Sequence, residues 1–311
     1  MKKILTVVLI LAIAVATGVS VYAFGEASPE VSPKAEIAVT ANSDVPAAPV
    51  SEEPEAQTTE VSVPDAFPSL QDEIIYKMLN SMDYFTTAQV SFSAVFPGFD
   101  TAQDYTIETN LETGVSHQTC SDNFVQTRSA NTSEAYETYS DGEVVREYDN
   151  LARTVQTLGG VQARRSLEEE WPGVEDRYYV DENGDPHYRY RGNPTNADMA
   201  GECLLPQVSA FAYLMDKGLW EVVDTTEYCG RQSYFVEGTV NGSYSAQIGA
   251  DTFMMYVDQE TGILLKLEAY DASGNIVSSM AVSEITVDAP SARSSFAYDM
   301  SKYEGYTELS N

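Results

Sequence analysis

His117 and His187 are the only two imidazoles in 311 residues, so Ser–His–Asp or Cys–His catalysis would have to run through one of them. Neither stands near a Gly-x-Ser-x-Gly nucleophile turn, and both lie in strand-like, polar or Tyr-containing surroundings. They read as surface or edge-strand imidazoles. Glu168, Glu169 and Glu170 precede Trp171, but glycoside cleavage needs two carboxylates facing each other across a sugar, and adjacent residues do not. They read as a solvated acidic helix face. Asp181-Glu-Asn-Gly-Asp185 imitates the first half of a calcium loop, yet the twelfth position, where a bidentate Glu is required, is Gly192. A hairpin turn explains it. No catalytic residue, metal site or cofactor is expected.

Cys120, Cys203 and Cys229 match no zinc spacing. Their odd number in a chain read as exported leaves two readings open: a Cys203–Cys229 disulfide, with Cys120 alone in the N-terminal half, or three buried thiols. Twenty Tyr residues suit cross-strand pairs in a sheet, or a surface that stacks on a protein or glycan partner.

The ends set where this chemistry takes place. Lys2 and Lys3 precede an apolar run from Ile4 to about Val21, with the small-residue exit Val21-Tyr22-Ala23. Residues 1–23 read as a secretory signal cleaved after Ala23, or as a retained anchor of about the 17–25 residues a spanning helix needs. Either sends the rest outside the cytoplasm. Residues 24–66, built from Pro, Ala, Glu, Ser, Thr and Val, bury too little apolar surface to offset ordering, so a disordered tether is expected. The net charge of −31 divides into +2 on residues 1–23, −8 on the tether and −25 on residues 67–311. Such acidity repels phosphate backbones and excludes nucleic acid as a partner. It also keeps an exported domain soluble.

The elements from Phe67 onward follow from periodicity. Ser69 and Asp72 have the shape of a helix start, and Leu70, Ile74, Ile75, Met78, Leu79, Met82 and Phe85 form one helical stripe. Val90, Phe92, Ala94 and Phe96 alternate as a strand before Pro97-Gly98. Strands are predicted at 105–110, 115–120, 124–129, 135–139, 144–148 and 154–157, with turns such as Thr113-Gly114 and Asp141-Gly142. A short helical turn over 166–171 and a small hairpin pairing 178–180 with 187–191 follow. Pro206 opens a second helix that Gly218 stops. Strands at 220–224 and 232–238 lead into a meander over 253–276, in which Ile263, Leu265, Leu267 and Ala269 share one face.

In order, these elements resemble the family of the bacterial lipoprotein carrier LolA and the envelope-stress regulator RseB, in exported versions from Gram-positive bacteria. The resemblance rests on the helix-to-strand opening, on Tyr139-Ser-Asp-Gly142 with Glu147-Tyr148-Asp149, and on Gly230-Arg231-Gln-Ser-Tyr234-Phe-Val-Glu-Gly238. Tyr256-Val-Asp258 with Thr261-Gly262, and the closing Phe296-Ala-Tyr-Asp299, complete it. It implies an α+β fold: a strongly curved antiparallel sheet, an open half-barrel, with two or more helices on its concave side over 67–311. It implies no enzymatic activity. The concavity would hold a lipid or lipoprotein acyl chain, or a membrane-protein segment such as that of an anti-sigma factor. The tether and the lack of a lipobox Cys depart from a soluble carrier or a lipoprotein, and no family site residue transfers to a position here. The candidate lining is Val90, Phe92, Phe96, Met255 and Leu265, for which plain core packing is the competing explanation.

Overall fold

A computed structural model describes residues 67–95, 102–121, 136–162, 164–165, 173–182, 186–197, 201–289 and 300–309. All belong to one compact unit, Ala56–Asn311. The readings of residues 1–66, of Phe96, of the strand at 124–129, of the helical turn at 166–171 and of Phe296–Asp299 lie outside the described residues.

Helix α1 spans Leu70–Leu79; Ser69, extended at φ −152°, caps it by accepting the Asp72 amide at 3.1 Å. The apolar stripe ran on to Phe85, but the helix stops at Asn80, whose amide turns back to Tyr76 and Lys77 carbonyls. Met82 therefore falls in a separate 3₁₀ turn, Ser81–Asp83. Strands β1 (Thr87–Val95), β2 (Gln103–Asn110), β3 (Val115–Cys120), β4 (Tyr136–Asp141), β5 (Val144–Asp149) and β6 (Thr154–Gly160) follow as an antiparallel meander.

A one-turn helix, α2 (Val174–Arg177), leads into the hairpin β7 (Tyr178–Val180) and β8 (Pro186–Tyr188). Helices α3 (Gly201–Leu204) and α4 (Gln207–Tyr213) come next. The second half holds β9 (Trp220–Tyr228), β10 (Arg231–Thr239), α5 (Gly242–Ile248), β11 (Thr252–Asp258), β12 (Leu264–Tyr270) and β13 (Ile276–Val287). A 3₁₀ turn, Met300–Tyr303, precedes β14 (Thr307–Leu309), which pairs parallel to β6.

The twelve strands form one curved, unclosed sheet in the order β14-β6-β5-β4-β3-β2-β1-β13-β12-β11-β10-β9. The two halves meet where β1 pairs with β13, Phe92 opposite Val282. Register slips at Ser91/Phe92, Val145/Arg146, Phe235/Val236, Tyr256/Val257 and Ala269/Tyr270 insert bulges, which add twist and bend strands. The curl has a direct measure. Cys229, in the β9–β10 turn, places its Sγ 3.1 Å from the Val282 carbonyl of β13. In a flat sheet, β10 and β13 would lie about 14 Å apart at ~4.8 Å per strand.

One face of the sheet carries α1, α3 and α4; α1 packs on α4 and β9, and α3 on β12. Two glycines permit the close approach. Gly262, at φ +75°, turns β11 into β12 directly under α1, where a Cβ would lie 2.4 Å from the Lys77 carbonyl carbon. Gly238 lets Trp220 and Phe253 meet; its Cβ would come within 2.6 Å and 2.7 Å of their side chains. Asp258 anchors the same β11–β12 turn. It accepts the Thr261 amide at 2.8 Å and hydroxyl at 2.7 Å, and takes Arg231 in a two-point pair at 2.6 Å and 3.0 Å.

Candidate functional site: the apolar inner face and its helical roof

Residues directly opposite in an antiparallel pair share a face. Phe92 faces Tyr105 on β2, with the rings stacked 5.0 Å apart, and Val90 faces Ile107. On the other half, Met255 faces Val236 on β10 and Leu267 on β12. The bulge at Tyr256/Val257 leaves Leu264 and Leu265 both buried. The structure thus brings Val90, Phe92, Met255 and Leu265 into a single core.

They do not line an open hollow. Val90, Phe92, Met255 and Leu265 are at most 2% exposed. The inner face is filled by Ile74, Ile75, Met78 and Leu79 of α1, by Met82 and Phe85 behind it, and by Leu204 and Phe211 from α3 and α4. The physical reason is the underside of α1, where Ile74, Ile75, Met78 and Leu79 are buried with Glu73 among them and seat against the curl of the sheet. Two hollows occur elsewhere. One, about 330 Å³, is polar and open, bounded by Arg231, Asp258 and Glu260. The other, about 50 Å³, is aromatic and adjoins the β7–β8 hairpin. Neither is bounded by the expected lining residues.

A polar clamp holds α1 in place. Arg177 is fully buried and donates to the Leu79 carbonyl at 2.9 Å, to Asn80 Oδ1 at 3.1 Å, to the Arg189 carbonyl at 3.1 Å and to Gln207 Oε1. Arg191, also buried, forms a two-point pair with Asp83 at 2.5 Å and 3.1 Å and reaches Asn80 Oδ1 at 3.2 Å. Both guanidinium groups stand at the C-terminal end of α1, where carbonyls lack helical partners and positive charge is favoured. In the last turn of the helix, Lys77 donates to Glu73 at 2.6 Å and to the Gln259 carbonyl at 2.5 Å. Glu73 is buried; Tyr234 donates to its Oε1 at 3.4 Å, while its Oε2 has no hydrogen-bond partner. Burial, then the Glu73 charge, pushes the Tyr234 phenol up to about 12. No pattern of period 2 or 3.6 marks Arg177 and Arg191, so the sequence carried no signal for this clamp.

The opposite face has its own small core. Glu137 is opposite Tyr148 and next to Tyr139 in β4; Tyr139 and Tyr148 are buried under Tyr303. The expected display of tyrosines on this face is therefore partly covered by the chain's own C-terminal segment. Glu137, itself 1% exposed, accepts His117 Nε2 at 2.9 Å, Lys302 Nζ at 2.8 Å, Asn150 Nδ2 at 2.6 Å and the Tyr303 hydroxyl at 2.8 Å. Burial alone would raise its pKa, but these four donors outweigh it and hold the carboxyl at about 2. His117 is thus a partner of a structural carboxylate on a central strand. His187, on the exposed β8, lies 3.2 Å from Asp181 and stacks on Tyr179 at 4.8 Å. No His/Cys/Asp/Glu group able to hold a metal occurs among the described residues.

The cysteine pairing requires correction. Cys203 and Cys229 are free thiols, as is Cys120. Cys203 is buried in α3, and its Sγ lies 3.4 Å from the Leu264 carbonyl of β12. Cys229 is exposed at φ +51° in the two-residue β9–β10 turn with Gly230, its sulfur turned to β13. Burial pushes the Cys203 thiol well above its ordinary range. In the same helix, burial raises Glu202 to about 8, although its Oε1 accepts the Ser209 amide at 2.8 Å.

No family model and no curated protein matches the sequence. Among solved structures, the chain is similar to MucB in its complex with MucA from Pseudomonas aeruginosa, at 15% identity and TM-score 0.36; the match covers 76% of this chain and spans 61% of that one. It is similar to LprF from Mycobacterium bovis at 11% identity and TM-score 0.33, covering 72% and 95%. Lipoprotein LppX from Mycobacterium tuberculosis matches at 12% identity and TM-score 0.31, covering 68% and 93%. At these values no residue role passes from those proteins to this one. The curved, unclosed sheet with helices on one face is the architecture that the LolA/RseB resemblance implied, except that the β14–β6 pair is parallel and makes the sheet mixed rather than wholly antiparallel.

Proposed function

We propose that the protein is a non-enzymatic binding protein that works outside the cytoplasm, on a tether formed by residues 24–66. Its inner face receives an acyl chain, or an equivalent apolar segment of a lipoprotein or membrane protein, when α1 lifts. The observation that supports this reading is the thinness of the roof. A wide apolar face spanning β1, β10, β11, β12 and β13 is covered by helices of only 10, 4 and 7 residues. No helix among the described residues is long and apolar enough to cross a membrane, so attachment would rest on residues 1–23.

Magnitudes make the exchange plausible. Four fully covered side chains on α1, at roughly 1.5–3 kcal/mol each, contribute about 6–12 kcal/mol. An acyl chain of about 14 methylenes recovers about 11 kcal/mol at ~0.8 kcal/mol each. The two sets of contacts are therefore interchangeable. The test is native mass spectrometry of the full-length chain with a diacylated lipopeptide, combined with amide exchange over residues 70–79. Binding should release protection in α1 while the strands stay protected. Absence of a complex, or a complex that leaves α1 as protected as before, would sink the reading.

A further inference from the structure

The 50 Å³ hollow lies where the β7–β8 hairpin, α4, the residues just after it and the start of α5 meet. Its boundary is dominated by rings. Tyr178 and Tyr188 are 5.6 Å apart, and Tyr188 and Phe211 are 5.3 Å apart. Tyr213 and Tyr244 meet edge to face at 5.3 Å. Five aromatic side chains thus border a space far below the 300–1,000 Å³ of common ligand pockets. An acyl chain does not fit there. A single small group does.

The charge around the hollow selects which group. Aromatic faces carry negative potential and attract cations. The one acidic side chain on the boundary is Asp216, which is exposed. Its Oδ1 accepts the Gly218 amide at 3.1 Å, and among the described residues it forms no ion pair. The chain's net charge of −31 adds a field of the same sign. Hard metal ions need six or more oxygens, which this ring-lined space lacks. One ring already serves as a cation platform: the Arg177 guanidinium sits 5.6 Å over Phe211. Tyr178, Tyr188, Tyr213 and Tyr244 pack on one another and on Phe211 and Phe253, and no cation sits over them among the described residues. Burial raises the phenols of Tyr188, Tyr213 and Tyr244, so they stay neutral at physiological pH.

We propose that this hollow is a binding site for a small alkylammonium group, such as the trimethylammonium of choline, with Asp216 as its counter-ion. The rings supply apolar contact and cation–π attraction together, a combination that water does not match and that a neutral group of equal shape cannot use. This site is separate from the inner face, and it stands or falls independently of acyl-chain binding there.

The experiment titrates the full-length chain with choline chloride and with 3,3-dimethyl-1-butanol, the uncharged isostere of choline, at constant ionic strength, following tyrosine fluorescence. Choline should bind saturably and at least ~10-fold tighter than the isostere, as a partly desolvated cation–π site requires. Asp216→Asn and Tyr188→Leu, both at exposed positions, should each weaken choline by about 5- to 30-fold with unchanged melting curves. Tighter binding of monomeric dihexanoyl phosphatidylcholine than of choline would assign the group to a lipid headgroup; weaker binding would assign a free ammonium compound. Equal affinity for choline and its isostere would overturn the proposal. So would unaltered choline binding in both variants, or preference for methyl glucoside, which would make the rings a sugar platform.

Discussion

Replacing Gly262 by Ala tests whether α1 really rests on the β11–β12 turn. Gly262 has φ +75°, and an added Cβ would lie 2.4 Å from the Lys77 carbonyl carbon, 2.5 Å from its oxygen and 2.7 Å from the Met78 nitrogen. Two costs arise. An L-residue in the left-handed region loses about 1–2 kcal/mol. Forcing backbone away from backbone in a packed interior adds about 1–3 kcal/mol. The total, about 2–5 kcal/mol, should lower the melting temperature by about 5–15 °C for a folded part of this size. Gly274→Ala is the internal control. Gly274 also has positive φ, +80°, but nothing lies within 4 Å of its Cβ position, so only the first cost applies. The change in unfolded-chain entropy is common to both variants and cancels. Thermal melts followed by circular dichroism give the difference, and amide exchange should place the extra loss in residues 70–79. If both variants melt at the same temperature, α1 does not bear on Gly262 and the argument for a tightly seated, liftable roof fails.

Acid should reveal the Glu137 network. Its folded pKa of about 2 lies below the ordinary 4.5, so its stabilisation is complete above 4.5 and is lost as pH falls from there toward 2. The effect is about 3 kcal/mol by linkage, and Glu137→Gln should flatten the dependence of melting temperature on pH over that window; an unchanged slope would show that other carboxylates govern it. Thiol labelling separates the cysteines. Under native conditions a maleimide should modify Cys229 and leave Cys203 untouched until denaturant is added, because only the first is exposed; failure of either to react in denaturant without reductant would indicate a disulfide.

Wherever one period governed many consecutive residues, the sequence could be read correctly. The alternation through Leu265, Leu267 and Ala269 is β12, and the stripe Ile74, Ile75, Met78, Leu79 is the underside of α1. The hairpin at Tyr178–Tyr188 and the helix after Pro206 also appear, the latter shorter than its apolar positions suggested because it ends at Tyr213. Helices α3 and α5 escaped notice for a physical reason. Four residues cannot display a helical period, and Gly242-Ser-Tyr-Ser in α5 holds weak helix formers stabilised by tertiary contact. The parallel β14–β6 pair joins Thr307 to Thr154 across a separation that no local pattern encodes. Likewise, Val90, Phe92, Met255 and Leu265 were legible as inner-face residues, but alternation does not report what lies above them. Whether a concave face is empty or roofed depends on how α1 and the residues between β6 and β9 return over it.

The way α1 is attached bears on what could replace it. Several of its polar contacts, Gln71 to the Trp220 carbonyl at 2.8 Å, Lys77 to Gln259 and Arg177 to Leu79, lie at its ends and edge, while the Tyr234–Glu73 contact at 3.4 Å is buried. When the helix lifts, most of these groups trade a protein partner for water, at a net cost of about 0.5–1.5 kcal/mol each. The underside has no such substitute. Ile74, Ile75, Met78 and Leu79 carry about sixteen non-hydrogen side-chain atoms, and leaving the sheet bare of them exposes apolar surface on both layers. A competitor must therefore bring a comparable number of apolar atoms in one continuous piece. On the acyl-chain reading, this makes length the basis of selection. Chains much shorter than about sixteen carbons leave part of the inner face uncovered, at ~0.8 kcal/mol per missing methylene, and α1 stays seated. Charge at the far end of the ligand matters less, because it would lie outside the roofed region.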